Sequence, residues 1–177
     1  GKLLHRDDSL LLVVDIQKVM FDLCVEKDRV EKNIEALVDT AETLNIPVVF
    51  TEHNAEKLGG FEPSLLERSP DSPVLNKIEF GCLGNRSIRD VVESSGKKTI
   101  LLAGIESHVC IFQTAAQALS DGYAVHVVAD AVSARAMSNL KTGLKRMRQA
   151  GAVITSVEMA IFELLGKAST DDFRKMH

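Results

Sequence analysis

Two hydrophobic patterns alternate along this chain: short continuous apolar runs, and longer segments in which apolar residues recur every third or fourth position. "LLLVVDI", Leu10 to Ile16, is apolar apart from one acid, as a strand buried on both faces should be. Val30, Ile34, Leu37, Val38, Ala41 and Leu44 follow at helical spacing and predict a long amphipathic helix. "IPVVFTE", Ile46 to Glu52, predicts a second strand that tolerates Pro47 near its start. From His53 to Ser72 the pattern breaks up around Gly59, Gly60, Pro63 and Pro70, which predicts a long loop with one short helix. Loops of that length inside compact domains tend to be functional.

"PVLNK", Pro73 to Lys77, predicts a short third strand, and residues 85–96 a helix closed by Gly96. Lys98 to Gly104 predicts a fourth strand and residues 108–122 the helix after it. Tyr123 to Asp130 predicts a fifth strand and Met137 to Ala150 another helix. "AVITSVE" predicts the sixth strand, followed by a last helix through Leu165 and a polar tail.

Alternation of this kind implies an α/β fold: a three-layer α/β/α, Rossmann-like arrangement with a parallel sheet covered on both faces. No internal repeat or linker interrupts it, so residues 1–177 are expected to form a single domain. With six strands the expected order is 3-2-1-4-5-6, and ligands in such sheets sit beyond the carboxyl ends of the strands where the order reverses. Asp15 closes the first strand, Lys77 closes the third, and Cys110 follows the end of the fourth at Gly104. Three reactive side chains from separate parts of the chain are thereby expected at one sheet edge.

That set has a workable chemistry. A thiol in the first turn of a helix, with an ammonium nearby, is expected to have a lowered pKa. A carboxylate can take the thiol proton and hand it to a leaving amine, while backbone amides at the helix start hold a developing oxyanion. Taken singly, each residue has a plainer reading: a buried inert cysteine, a loop-capping aspartate, a solvated lysine.

The quoted residues carry a resemblance. Asp15 in "VVDIQ", Lys77 in "LNKIEF" and Cys110 in "AGIESHVC" match in order and spacing the Asp–Lys–Cys triad of the isochorismatase-like cysteine hydrolases. "GIESHVC", "VHVVADAVSAR" and "RMRQAGAVITSVE" resemble the isochorismatase domain-containing subgroup in particular. The resemblance implies Asp15 as general base, Lys77 as electrostatic partner and Cys110 as the nucleophile of an acyl-enzyme. It also implies a cis peptide bond between Ile105 and Glu106, an oxyanion hole from the backbone amides of Glu106 and Cys110, and a homo-oligomer. Gln17, Phe21, His53, Phe80, Gly81 and Cys82 are expected to line the substrate pocket.

The sequence departs from some relatives. Nicotinamidases of this family hold a metal ion on an Asp-x-His and further histidines, whereas "TEHNAEKLGG" places Thr51 where the aspartate would be. His53 alone cannot build a tetrahedral site, so neither metal nor other cofactor is expected. Isochorismatases proper cleave a vinyl ether without a cysteine nucleophile, so Cys110 points instead to amide-like carbon–nitrogen bonds. After Lys77, "EFGCLGN" supplies Phe80, Gly81 and Cys82 where triad-bearing members commonly have a serine and aromatic residues. His108, two positions from Cys110, does not share its helical face. Asp130 is expected to anchor a loop and Arg135 to reach a subunit contact.

Composition narrows the partners. A net charge of -4 with no basic stripe argues against nucleic acid, and against a ribonuclease, for which no aromatic platform is present. No apolar run approaches the roughly 20 residues that span a bilayer. Three scattered cysteines, Cys24, Cys82 and Cys110, suit neither a disulfide framework nor a zinc site and fit a reducing, cytoplasmic setting; Cys24 reads as structural. The leading expectation is a metal-independent cysteine hydrolase of a small amide-like substrate. The alternative is a low-turnover metabolite-binding or scaffold protein that retains the fold.

Overall fold

A computed structural model describes residues 2–176. Six strands, β1 (Ser9–Val14), β2 (Val48–His53), β3 (Val74–Lys77), β4 (Thr99–Ile105), β5 (Ala124–Ser133) and β6 (Val153–Thr155), form one all-parallel sheet ordered β3-β2-β1-β4-β5-β6. The period-2 geometry of a strand sorts the continuous apolar runs into two cores. In β1, Leu11 and Val13 point to one face and Leu10, Leu12 and Val14 to the other. The first face is covered by α2 (Lys27–Thr43) and α8 (Val157–Leu165) through Ile34, Leu37, Val38, Ala160 and Leu164. The second is covered by α5 (Arg86–Ser94), α6 (Phe112–Ser120) and α7 (Met137–Ala150) through Ile88, Val92, Ala115, Ala118, Leu140 and Met147.

Several boundaries differ from the sequence pattern, each for a physical reason. Residues 53–72 hold two short helices rather than one, α3 (Ala55–Leu58) and α4 (Pro63–Leu66); Pro63 at the first helical position starts the second. A short α1 (Lys18–Phe21) precedes α2. β5 continues past Asp130 because its register against β4 shifts between Leu102 and Gly104. Asp130 lies in that irregular stretch, where its Oδ1 accepts from the Val157 amide (2.9 Å) and its carbonyl from Asn33 Nδ2 (2.6 Å). β6 stops at Thr155 because Ser156 caps α8, its Oγ accepting from the Met159 amide. The expected polar tail contains α9 (Asp171–Met176), tied to the amino-terminal segment by an Arg6–Asp172 ion pair of 2.7 Å.

The end of β4 lies unusually close to β1. Gly104 has φ +124°, and a Cβ there would overlap the backbone of Val14, so only glycine permits this approach. The chain then enters a π-helical turn, Ser107–Ile111, in which the Ile111 amide reaches back to the Glu106 carbonyl (3.2 Å) before α6 begins. Cys110 sits in that wide turn rather than in a regular α-helical first turn.

Candidate active site

Asp15 follows β1 in a left-handed backbone conformation (φ 56°). The conformation departs from the strand path, and an aspartate tolerates it better than a branched residue would. Its amide donates to the Thr51 carbonyl (2.9 Å), and Thr51 Oγ1 donates to Asp15 Oδ1 (2.8 Å). Lys77 closes β3 opposite His53 of β2 and is only 1% exposed. Its Nζ donates to Asp15 Oδ2 at 2.8 Å, to Cys110 Sγ at 3.4 Å and to His53 Nδ1 at 3.3 Å. Ligand-type atoms of Asp15, His53 and Cys110 lie within 4.8 Å of one another, a spacing that would suit a metal ion. Here all three residues are hydrogen-bonded to the Lys77 ammonium, which is the cation of this group.

Charge and burial together set the resting protonation. Burial opposes the Lys77 ammonium, but the adjacent Asp15 carboxylate and the thiol groups outweigh it and raise its pKa. Burial, and then the Asp15 charge, push the Cys110 thiol well above the ordinary range against the pull of Lys77. This corrects the expectation of a lowered thiol pKa. The π-turn offers a single turn of amides, while removal from water and a neighbouring carboxylate both oppose a thiolate. Both shifts favour the ammonium on Lys77 and the protonated form of the Cys110 thiol.

A cleft of about 340 Å³ opens onto Cys110 and Asp15. Gln17, His53 and Phe80 line it, together with Met20, Leu58, Ile105, Val109, Glu106 and Arg135. Gln17 is buried, and its amide is spent on the protein: Oε1 accepts from the His53 amide (2.7 Å), while Nε2 donates to the carbonyls of His53 (3.0 Å) and Gly59 (2.7 Å). Phe80, half-exposed, stacks on His53 with centroids 5.4 Å apart and planes 16° apart.

Three residues expected in the pocket do not line it. Phe21 turns into the core beneath α2, and Met20, one position earlier, faces the cleft instead. Gly81 packs on the Gln117 side chain, which occupies the place of a Cβ. Cys82 is fully buried beneath the site, 3.9 Å from Thr51 Oγ1, with burial raising its thiol to about 11. Cys24 is buried at the edge of α1, its thiol at about 12 through burial. No hydrogen bond joins His108 to Cys110 among the described residues, and His108 Nδ1 is buried without a partner.

Sequence reasoning missed Thr51 as the support of Asp15, although parallel pairing of β1 with β2 sets Val14 beside Thr51. It also missed the ion pair at the cleft wall. Glu106 Oε2 accepts from the Arg135 amide (3.0 Å) and from Arg135 Nε (3.2 Å). Arg135 therefore lines the cleft, with its side chain about half exposed (54%). The Ile105–Glu106 peptide bond is cis.

The sheet order, the helices on both faces and the cleft at the β1/β4 switch point define a three-layer α/β protein of the doubly wound class. Within that class, residues 9–159 match the Isochorismatase domain, and the chain belongs to the isochorismatase family. A secreted isochorismatase effector, Isc1, of Phytophthora sojae is 39% identical over 180 residues, covering 99% of this chain and 85% of that protein. Among solved structures, the MAR1 ribonuclease of Caenorhabditis elegans superposes with a TM-score of 0.93 at 31% identity, covering 99% of this chain and 90% of that one. YcaC of Escherichia coli, described as an octameric hydrolase of unknown specificity, gives a TM-score of 0.94 at 27% identity, with 99% and 89% covered. YcaC of Pseudomonas aeruginosa, solved with hexane-2,5-diol and covalent acrylamide, gives 0.93 at 26% identity, with 99% and 90% covered.

Proposed function

We propose that this protein, acting as one domain, is a cysteine hydrolase that cleaves a small amide-like carbon–nitrogen bond. The observation that carries the reading is the buried Lys77 ammonium, hydrogen-bonded at once to the Asp15 carboxylate and the Cys110 thiol at the floor of the cleft. In this reading Cys110 Sγ attacks the amide carbon while its proton passes to Asp15. No preformed thiolate is needed, because the base lies beside the thiol. The carbonyl oxygen becomes an oxyanion held by the backbone amides of Glu106 and Cys110. Collapse breaks the carbon–nitrogen bond as Asp15 returns the proton to the leaving nitrogen. Water, deprotonated by Asp15, then attacks the thioester, releasing a carboxylic acid and restoring the thiol. Lys77 stays hydrogen-bonded to Asp15 and offsets the charge that builds on sulfur.

The hydrolase description of the Escherichia coli relative supports this class of reaction, and acrylamide bound covalently to the Pseudomonas relative supports a nucleophile reachable by a small amide. The ribonuclease name of the nematode relative finds little support here: the cleft's one arginine is paired with Glu106, and the chain is acidic. By the same token, an octameric relative supports a homo-oligomer. Three free, buried cysteines suit a reducing compartment such as the cytoplasm, although the Phytophthora relative is secreted.

A panel of small amides, ureides and nitriles, assayed for release of acid and amine, tests the reading. Turnover by the wild type that is abolished in Cys110→Ala supports it; turnover that survives Cys110→Ala sinks it. A second reading, a metabolite-binding protein with little turnover, is favoured by the burial of the Cys110 thiol, which raises its pKa. Tight binding of a panel member with no product in either protein would select that reading.

A further inference from the structure

The Lys77 ammonium has three protons and, in this site, three acceptors: Asp15 Oδ2 at 2.8 Å, His53 Nδ1 at 3.3 Å and Cys110 Sγ at 3.4 Å. An ammonium donates and never accepts. His53 Nδ1 is therefore the acceptor of its bond, and the single proton of the imidazole must sit on Nε2. We infer that His53 contacts the substrate: Lys77 locks its tautomer, so that Nε2–H is a donor in the cleft for an acceptor oxygen or nitrogen of an uncharged substrate. The inference rests on the hydrolase reading for its use in turnover, but not for its geometry.

Two restraints hold the His53 backbone and two hold its ring. The Gln17 carboxamide grips the His53 backbone from both sides, at its amide (2.7 Å) and at its carbonyl (3.0 Å). Register pairing sets His53 beside Lys77. Phe80 stacks on the ring and fixes its plane, and Lys77 takes Nδ1. Nε2 is left without a hydrogen-bond partner among the described residues, on a ring that lines the same cleft as Cys110.

The charge of the cleft sets the substrate class. Its charged lining groups are already paired, Asp15 with Lys77 and Glu106 with Arg135, and Met20, Leu58, Ile105 and Val109 supply an apolar wall. Such a cleft suits a compact, uncharged amide whose carbonyl or second polar atom accepts one hydrogen bond from His53.

Nitrogen NMR of the protein labelled in its histidine rings tests this directly. The expected result is a proton on Nε2 and none on Nδ1, with the Nε2 resonance moving when acetamide is added. A proton on Nδ1, or on both nitrogens at neutral pH, would overturn the tautomer lock. An Nε2 resonance indifferent to acetamide would overturn the substrate contact. His53→Asn supplies the companion measurement, because its Oδ1 can still accept from Lys77 while the Nε2 donor is gone. Alkylation of Cys110 by iodoacetamide, which carries an acceptor carbonyl, is compared with alkylation by iodoethane, which carries none. The ratio of the two rates should fall about five- to tenfold in His53→Asn, the worth of roughly one net hydrogen bond; an equal loss with both reagents would show a merely structural role. If the ring results stand while no amide of the panel is turned over, the hydrolase reading fails and His53 remains a binding residue.

Discussion

At the scale of single residues, the site is governed by what burial does to the Cys110 thiol and the Lys77 ammonium. The Cys110 thiol is held protonated by removal from water and by Asp15, with Lys77 pulling the other way. Its alkylation should therefore be slow near neutrality and should climb with pH beyond the ordinary thiol value of about 8.5. Rates of iodoacetamide labelling followed by intact mass across pH check this; fast labelling that persists well below that value would contradict it. The Asp15–Lys77 pair is buried on both sides. Lys77→Met strands a buried carboxylate and should cost about 3–5 kcal/mol. Asp15→Asn combined with Lys77→Met removes both charges and should recover much of that loss in denaturant unfolding, while leaving the protein inactive.

At the scale of elements, the position of Cys110 depends on how α7 packs against the π-turn. Ser107 is fully buried and its Oγ donates to the Leu140 carbonyl of α7 at 3.0 Å. Gly143, one turn further along α7, lies so close that a Cβ would stand 2.8 Å from the Ser107 carbonyl carbon and oxygen. Glycine inside a helix ordinarily costs up to about 1 kcal/mol relative to alanine, so its place in α7 has a packing reason. Gly143→Ala should accordingly destabilise the protein, by about 1–3 kcal/mol through overpacking, instead of gaining helix propensity. It should also change the Cys110 alkylation rate, because the turn must shift. Thermal unfolding and alkylation of the same variant check both halves.

At the scale of the whole molecule, stability against pH is set partly by groups remote from the site. His126 of β5 is buried with Nδ1 unpartnered, and burial depresses its pKa, against the nearby Glu163 and together with Lys2. The unfolded chain binds the proton more readily, so this contribution to stability is present above about pH 6.5 and is lost as the pH falls below it. His126→Leu should flatten the acid-side decline in chemical-denaturation curves. The thiols act on the opposite limb. Cys24 and Cys82 titrate near 12 and 11 in the folded state, so their contribution is complete below the unfolded thiol value and declines as the pH rises past it. In solution the chain is expected to assemble with copies of itself, and native mass spectrometry showing only a monomer at micromolar concentration would refute that.

Much of this was legible in one dimension, because burial on both faces of a sheet leaves uninterrupted apolar runs and helices leave a 3.6-residue period. Strand number, parallel order and the meeting of Asp15, Lys77 and Cys110 at one edge follow from that alternation together with the right-handed crossover rule. The boundaries that slipped at the end of β5 and in α9 depend on Asp130 and Arg6 finding partners far along the chain, whereas β6 ends at the local Ser156 cap. Only the tertiary structure decided which neighbour of the α1 pair faces the cleft, Met20 or Phe21. It alone set the protonation of the Cys110 thiol, because desolvation and the distances to Asp15 and Lys77 have no signature in sequence. The same holds for the His53 ring. Sequence places a histidine at the end of β2, and only the three-dimensional approach of Lys77 to Nδ1, with Gln17 and Phe80 holding the residue in place, decides how that ring is used.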